Sequence, residues 1–130
     1  MNKLEHIAYW LESAEYDIQA SESMFQSGYY VWALFIGHLV LEKTMKAIYV
    51  QNSENIVPQK IHNLIKLANI SNIQLNTSQI DIFEDINTFH IEGRYSEFKN
   101  ELYKICTKEF SLNHLNNIKE QFLWLKSQIK

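Results

Sequence analysis

The sequence contains few of the residues that define several large classes of protein. One cysteine, Cys106, excludes an internal disulfide framework and any zinc site built from several cysteines. Three glycines and one proline in 130 residues are too few for a β-sandwich with many tight turns. The most apolar stretch, residues 29–50, is interrupted by charge before it reaches the roughly 18–20 residues that cross a bilayer. With no signal-peptide pattern at the start, a cytoplasmic location without membrane association is expected.

Arginine is nearly absent: Arg94 is the only one among 12 basic residues, which face 15 acidic residues. The net charge of −3 argues against broad, non-specific coating of nucleic acid, but it allows a local basic site. At 46% hydrophobic and 13% aromatic residues, the chain has enough apolar surface to build a packed core. Its length fits one domain, so residues 1–130 are predicted to form a single helical domain.

Apolar residues recur at spacings of three and four along most of the chain, which is typical of amphipathic helices. Helices are predicted over residues 4–26, 29–51 and 60–68, with Gly28 ending the first in a left-handed conformation. The second is apolar on almost every side, which is typical of a central helix. This pattern predicts an all-α fold: an up-and-down antiparallel four-helix bundle with an additional short helix.

The second half of the chain is less regular. Residues 78–81 (SQID) resemble a capping box and predict the start of a helix. Residues 90–96 interrupt the apolar pattern. The secondary structure of residues 97–107 is ambiguous. The last helix is predicted to begin near Ser111, with Thr107 as the competing cap.

A narrow polar strip crosses the apolar second helix. His38, Glu42 and Lys46 follow one another at intervals of four, and Lys43 lies beside them. His38 and Glu42 have the spacing of two metal ligands on one helix, but a metal site usually needs three or four, so no metal or cofactor is expected. We interpret the strip as hydrogen-bonded polar groups on a buried helix. The alternative is that the strip lines a cleft.

A second group of polar residues lies in residues 90–95, which contain His90, Arg94 and Tyr95. A guanidinium pairs with phosphate as a bidentate fork, and tyrosine offers a ring and a hydroxyl. These residues are therefore candidates for contact with a nucleotide or an RNA backbone. The alternative is that Arg94 binds a carboxylate or a helix C-terminus and fixes the loop.

Four blocks of residues, in this order and spacing, resemble the HEPN domain family. Residues 33–47, ALFIGHLVLEKTMKA, are similar to the family pattern A-x-F-x-x-H-x-x-x-E-K-x-x-K-A. The short H-[DN]-L pattern is similar to His62-Asn63-Leu64, and the R-Y-P pattern is similar to Arg94-Tyr95. The first block consists of Trp10, Ala14, Asp17 and Ala20, followed by Gly28-Tyr29-Tyr30.

The resemblance implies a bundle of four or five helices that commonly forms a homodimer. Bacterial members often act with a separate minimal nucleotidyltransferase as a toxin–antitoxin pair. Other members are metal-independent endoribonucleases with an R-x(4–6)-H motif, in which Arg stabilises phosphorane charge and His moves a proton. Counted from Arg94, the positions for that His hold Lys99, Asn100 and Glu101, and Ser96 replaces the Pro of the family pattern.

The sequence therefore predicts a bacterial HEPN module that binds a nucleotide or RNA, works with a minimal nucleotidyltransferase and lacks the catalytic His. Arg94 is the residue carried over from the family pattern. One alternative is an endoribonuclease toxin with a displaced base, for which His90 and Glu101 are the candidates. The other is a purely structural dimerisation module.

Overall fold

The computed structural model describes residues 2–92 and 96–130, and the side chains of residues 2–90 and 100–130. Within these residues the fold consists of six α-helices without a strand. The predicted all-α fold is confirmed, with a second short helix, α5, in addition to the expected one, α3. None of the described helices is long and apolar enough to cross a membrane. The helices are α1 (Lys3–Gln26), α2 (Tyr30–Asn52), α3 (Leu64–Ile70), α4 (Thr77–Glu92), α5 (Ser96–Ile105) and α6 (Lys108–Ser127).

Helices α1 and α2 form an antiparallel pair with a tight connection. Gly28 has a φ of +85°, and the N–H of the next residue, Tyr29, donates to the carbonyl of Met24 at 2.9 Å. This is the six-residue hydrogen bond of a Schellman motif, and with the positive φ of Gly28 it confirms the predicted left-handed end of α1. At the other end of the pair, Lys3 Nζ donates to the carbonyl of Ser53 at 2.9 Å.

Helix α2 lies at the centre of the bundle and contacts each of the other five helices. Leu34, Leu41 and Met45 on this helix are completely buried. Gly37 allows α6 to approach closely, because a Cβ atom there would lie 2.6 Å from Ile118 Cδ1. The prediction of a central second helix is therefore confirmed, and three polar residues on it, His38, Glu42 and Lys46, are buried.

Helix α3 begins later than predicted. Asn63 Oδ1 accepts hydrogen bonds from the N–H groups of Ile65 at 3.0 Å and Lys66 at 3.2 Å. Because this cap satisfies the first free N–H groups, the helix starts at Leu64 and not at residue 60.

Helix α4 has a capping box, but it is not the predicted one. Asn76 Oδ1 accepts from the N–H of Gln79 at 2.8 Å, and Gln79 Oε1 accepts from the N–H of Asn76 at 3.0 Å. The prediction for residues 78–81 was wrong by two residues, because Asn caps a helix as well as Ser does.

The same helix extends to Glu92, so His90 lies in its last turn and not in the predicted break. This correction matters for function because it fixes the direction in which His90 enters the bundle. Residues 93–95, which include Arg94 and Tyr95, lie outside the described residues.

Helix α6 begins earlier than predicted. Thr107 Oγ1 accepts from the N–H of Phe110 at 3.3 Å, and the helix starts at Lys108. The predicted start near Ser111 was wrong, since this serine is buried inside the helix, and the competing cap at Thr107 is the one that forms. Most of the ambiguous segment before it is helical, as α5.

Candidate functional site

Three residues of the polar strip are buried in the middle of the bundle. The exposed fraction is 0% for His38, 4% for Glu42 and 8% for Lys46. Lys46 Nζ donates to Glu42 Oε2 at 3.1 Å, and it also lies 5.2 Å from the ring centroid of Trp10. The ion pair is therefore enclosed by protein, as the interpretation of a buried strip requires.

The fourth residue, Lys43, does not belong to this buried group. Its Nζ lies 2.6 Å from Asp17 Oδ2 and 2.8 Å from Ser13 Oγ, both on α1. Lys43 therefore connects α1 and α2 at the outer part of their interface. Its place next to the polar strip in the sequence is the one reason to consider it a site residue.

A loop residue completes the hydrogen bonding of the buried carboxylate. His62 Nδ1 lies 2.9 Å from Glu42 Oε1 and, because a carboxylate can only accept, this nitrogen carries the proton. The side chain of His62 is 46% exposed, whereas that of Glu42 is 5% exposed. The pair therefore connects the interior with the surface.

The last turn of α4 brings a third imidazole to the same place. The ring centroid of His90 lies 4.5 Å from that of His38 and 4.7 Å from that of His62. His90 itself is 4% exposed. His38, Glu42, His62 and His90 thus form one group, which we call the histidine cluster.

Within the histidine cluster, His38 differs from the rest in its hydrogen bonding. Among the described residues neither of its ring nitrogens has a hydrogen-bond partner of normal geometry, and weaker contacts with the His62 backbone and the Asn87 side chain raise its pKa only partly. Glu42 Oε1 lies 3.8 Å from Nδ1, beyond hydrogen-bond distance. An interpretation of the strip as fully hydrogen-bonded therefore fits Glu42 and Lys46 but does not account for His38.

The environment sets the protonation states of the cluster. Burial lowers the pKa of His38 to about 4, and His90 adds to this effect while Glu42 opposes it. Burial pushes the pKa of Glu42 upward, but the hydrogen bond from His62 and the charge of Lys46 outweigh it, so the net pKa is lowered. At neutral pH the site therefore holds a neutral His38 next to an ionised Glu42.

A small cavity of about 70 Å³ opens beside these rings. Since a water molecule takes about 30 Å³ in the liquid, the cavity can hold one or two waters or an atom of similar size. Asn87 lines it and also accepts from the N–H of Leu64 at 2.9 Å, which ties α4 to α3. The residues that line the cavity are His38, His62, Asn63, Asn87 and His90.

This arrangement offers two kinds of chemistry. His62, oriented by Glu42 and half exposed, forms a carboxylate–imidazole pair with it, the arrangement that general acid–base sites use. Separately, His38, Glu42 and His90 each provide one donor atom, and these atoms lie within 4.8 Å of one another. Nitrogen and carboxylate oxygen are donors that suit a divalent transition metal.

Two predicted site residues, Arg94 and Tyr95, lie outside the described residues, so the structure gives them no position. His90, the third candidate of that group, is described. It is buried, so it does not offer its ring to a ligand on the surface. Glu101, the other candidate for a displaced base, is exposed on α5.

Sequence reasoning did not find that His62 and His90 meet the polar strip. The i, i+4 spacing within α2 was visible, but the two other imidazoles come from a loop and from α4. The sequence did mark His62, because it belongs to the short H-[DN]-L pattern beside a helix cap. That pattern did not predict that His62 contacts Glu42.

Comparison with known proteins identifies the family. The HEPN domain profile matches residues 7–128. The chain belongs to the HEPN domain family. This match covers almost the whole HEPN chain and includes every member of the histidine cluster.

A solved structure has the same fold. The protein TT1696 from Thermus thermophilus superposes with a TM-score of 0.79 over 94% of this chain and 97% of that chain, at 15% sequence identity. At this identity the likeness concerns the fold alone. No curated protein matches the HEPN chain.

Proposed function

We propose that this HEPN protein binds a nucleotide or RNA through Arg94 and Tyr95 and acts with a separate minimal nucleotidyltransferase as a toxin–antitoxin pair in the bacterial cytoplasm. The observation that carries the proposal is the HEPN match over residues 7–128, a span that includes Arg94-Tyr95, which resembles the family's R-Y-P pattern. Lys43 and Lys46 are occupied by ion pairs with Asp17 and Glu42, so they are not free to bind phosphate as they stand.

The choice of arginine at position 94 supports a phosphate contact. Arg94 is the only arginine among 12 basic residues, in a chain that otherwise uses lysine. A guanidinium can hold two phosphate oxygens in one plane, whereas an ammonium acts as a point charge. Arginine is therefore expected where a site binds a phosphate through two parallel hydrogen bonds.

Binding through Arg94 is tested by titrating ATP, GTP and a short labelled RNA into the wild type, Arg94→Lys and Arg94→Ala. A charge-assisted contact is worth about 1.5–3 kcal/mol, so Arg94→Ala should weaken RNA binding roughly 10–100-fold. It should also reduce the slope of log affinity against log salt by about one. Lys108→Ala, which removes an exposed charge from the start of α6, is the matched control.

The partner is tested by purifying the tagged protein from its source cell. Recovery of a nucleotidyltransferase in stoichiometric amount supports the pairing. If no such protein is recovered and the wild type binds none of the three ligands, the proposed function is wrong.

A ribonuclease activity with a displaced base is the second candidate. Direct proton transfer from RNA to His90 is disfavoured because this ring is 4% exposed and lies behind His62. Glu101 is accessible, and the activity would then depend on both Glu101 and Arg94. Intact RNA after long incubation with the wild type, without added metal, excludes this activity.

The homodimer is also part of the proposal, because HEPN chains commonly pair. Leu123 is 64% exposed and lines an apolar groove with Ile18 and Phe122, between α1 and α6. Light scattering should give twice the mass of the chain at micromolar concentration, and a monomer at that concentration contradicts the homodimer.

A further inference from the structure

The histidine cluster contains a buried imidazole that hydrogen bonding within the protein satisfies only in part. His38 is completely buried, and among the described residues neither of its ring nitrogens has a hydrogen-bond partner of normal geometry, so the His62 backbone and the Asn87 side chain offset its burial only partly. A buried polar group without a partner costs about 1–3 kcal/mol, so native proteins usually satisfy such groups with protein, water or an ion.

Two further donors converge on His38 from different directions. Glu42 lies one turn along α2, and its Oε1 is 3.8 Å from His38 Nδ1. His90 arrives from α4, and the three donor atoms lie within 4.8 Å of one another. Two imidazoles and one carboxylate, all buried, constitute a three-ligand set for a tetrahedral metal ion with one open position.

We propose that His38, Glu42 and His90 bind a divalent transition-metal ion, with Zn²⁺ as the ion of best fit. Imidazole nitrogen suits zinc, copper and nickel better than it suits calcium or magnesium, which prefer oxygen ligands. This site does not use Arg94 or Tyr95, so its test is separate from that of the proposed nucleotide contact.

The site requires a modest contraction of the observed geometry. Zinc lies about 2.0–2.2 Å from nitrogen and oxygen ligands, which sets neighbouring ligand atoms roughly 3.3 Å apart in a tetrahedron. His38 Nδ1 and Glu42 Oε1, at 3.8 Å, are already near that separation. The three donor atoms lie within 4.8 Å of one another, so the largest separation must close by up to about 1.5 Å.

The carboxylate ligand is held in place by two further residues. Lys46 Nζ donates to Glu42 Oε2 at 3.1 Å, and His62 Nδ1 lies 2.9 Å from Oε1. Partners of this kind orient a metal-binding carboxylate and strengthen the site. His62 also stacks on the His90 ring, with 21° between the ring planes, so it contacts two of the three proposed ligands.

The charges around the site are compatible with a metal ion that carries a small anion. Lys46 cancels the charge of Glu42, so a divalent ion leaves a net positive charge in a buried site. A hydroxide in the adjoining 70 Å³ cavity would complete the fourth position and reduce that charge.

The test is a calorimetric titration of ZnCl₂ into tag-free protein that has been treated with a chelator and desalted. Wild type should bind one ion per chain. His38→Gln, Glu42→Gln and His90→Gln should each lose more than the 10–100-fold that is typical of an outer-shell residue, whereas His62→Gln should lose about that amount. His6→Gln removes an imidazole from α1, outside the cluster, and should bind like wild type.

Two further measurements keep the outcome decisive if His38→Gln does not fold. Zn²⁺ should raise the thermal midpoint of wild type and leave that of His90→Gln unchanged. Co²⁺ bound to wild type should show the visible absorption of tetrahedral coordination by nitrogen and oxygen. The proposal is overturned if wild type binds no zinc, or if His90→Gln and Glu42→Gln bind it as tightly as wild type does.

Discussion

The bundle contains two kinds of ion pair with the same residue types and different surroundings. Lys46 and Glu42 meet at 3.1 Å with side chains that are 9% and 5% exposed. Lys119 and Glu22 meet at 2.6 Å between α6 and α1, with side chains that are 38% and 40% exposed. The distances alone do not distinguish them, but burial does.

The exposed pair is easily explained as surface chemistry. Such pairs contribute about 0–1 kcal/mol, and salt screens them. The buried pair is harder to explain by stability, because removing two charges from water costs several kcal/mol per ion. An apolar pair of the same volume is often as stable or more stable. Stability therefore does not explain the buried pair, whereas the proposed metal site gives Glu42 a role as a ligand and Lys46 a role in orienting it.

The largest effect is expected from Glu42→Ala. This change leaves Lys46 buried without its partner and takes the hydrogen bond from His62, so we expect a loss of about 3–5 kcal/mol in the free energy of unfolding. Urea denaturation measures it. Glu22→Ala is the matched control, and equal losses for the two variants would show that burial does not separate the pairs.

The next effect concerns pH. His38 has an ordinary pKa of 6.5 and a folded pKa of about 4. The protein therefore keeps its full free energy of unfolding above pH 6.5 and loses part of it as the pH falls to 4. The unfolded chain takes up the proton first, which lowers stability by up to about 3 kcal/mol over that interval. Urea denaturation between pH 7 and pH 5 avoids most of the titration of Glu42.

In His38→Gln most of this pH dependence should disappear, while His6→Gln should keep it. His114, whose pKa burial also lowers, accounts for part of the remaining slope, and His114→Gln measures that share. A wild-type stability that does not change between pH 7 and pH 5 contradicts a neutral, buried His38.

An intermediate effect is expected at the interface of α1 and α2. Lys43 and Asp17 meet at 2.6 Å with side chains that are 25% and 16% exposed, between the two extremes. Lys43→Ala should cost about 1.5–3 kcal/mol, the range for hydrogen bonds to charged groups. Urea denaturation should rank Lys43→Ala between Glu42→Ala and Lys119→Ala, and any other order breaks the relation between burial and cost.

The smallest effect is expected from Lys119→Ala. The loss should stay below about 1 kcal/mol at low ionic strength, and it should vanish in 1 M salt, where the screening length is about 3 Å. Thermal unfolding in low and high salt measures it. A loss that persists unchanged in 1 M salt would place this pair with the buried ones.

Local features of the fold followed from the sequence more closely than the site did. The end of α1 at Gly28 and the central position of α2 depend on a few neighbouring residues and were predicted. The starts of α3, α4 and α6 depend on which of several capable side chains forms the cap. At α4 the box formed at Asn76 and Gln79, ahead of a serine that fits the same pattern.

The site depends on contacts between distant parts of the chain. Glu42 and His62 are twenty residues apart, and no spacing rule connects a residue on α2 with one in a loop. The position of His90 on α4 decides that it faces His38, and the apolar pattern had ended that helix too early. The polar strip on α2 was therefore visible in the sequence, but its partners were not.

One double variant tests most directly whether the buried pair serves binding or stability. Glu42→Met/Lys46→Met replaces both charges with apolar side chains of similar length, and its unfolding free energy and zinc affinity are measured together. We expect stability within about 1 kcal/mol of wild type, or above it, together with loss of zinc binding. A fall in stability as large as that of Glu42→Ala, or zinc binding that persists, would contradict the account.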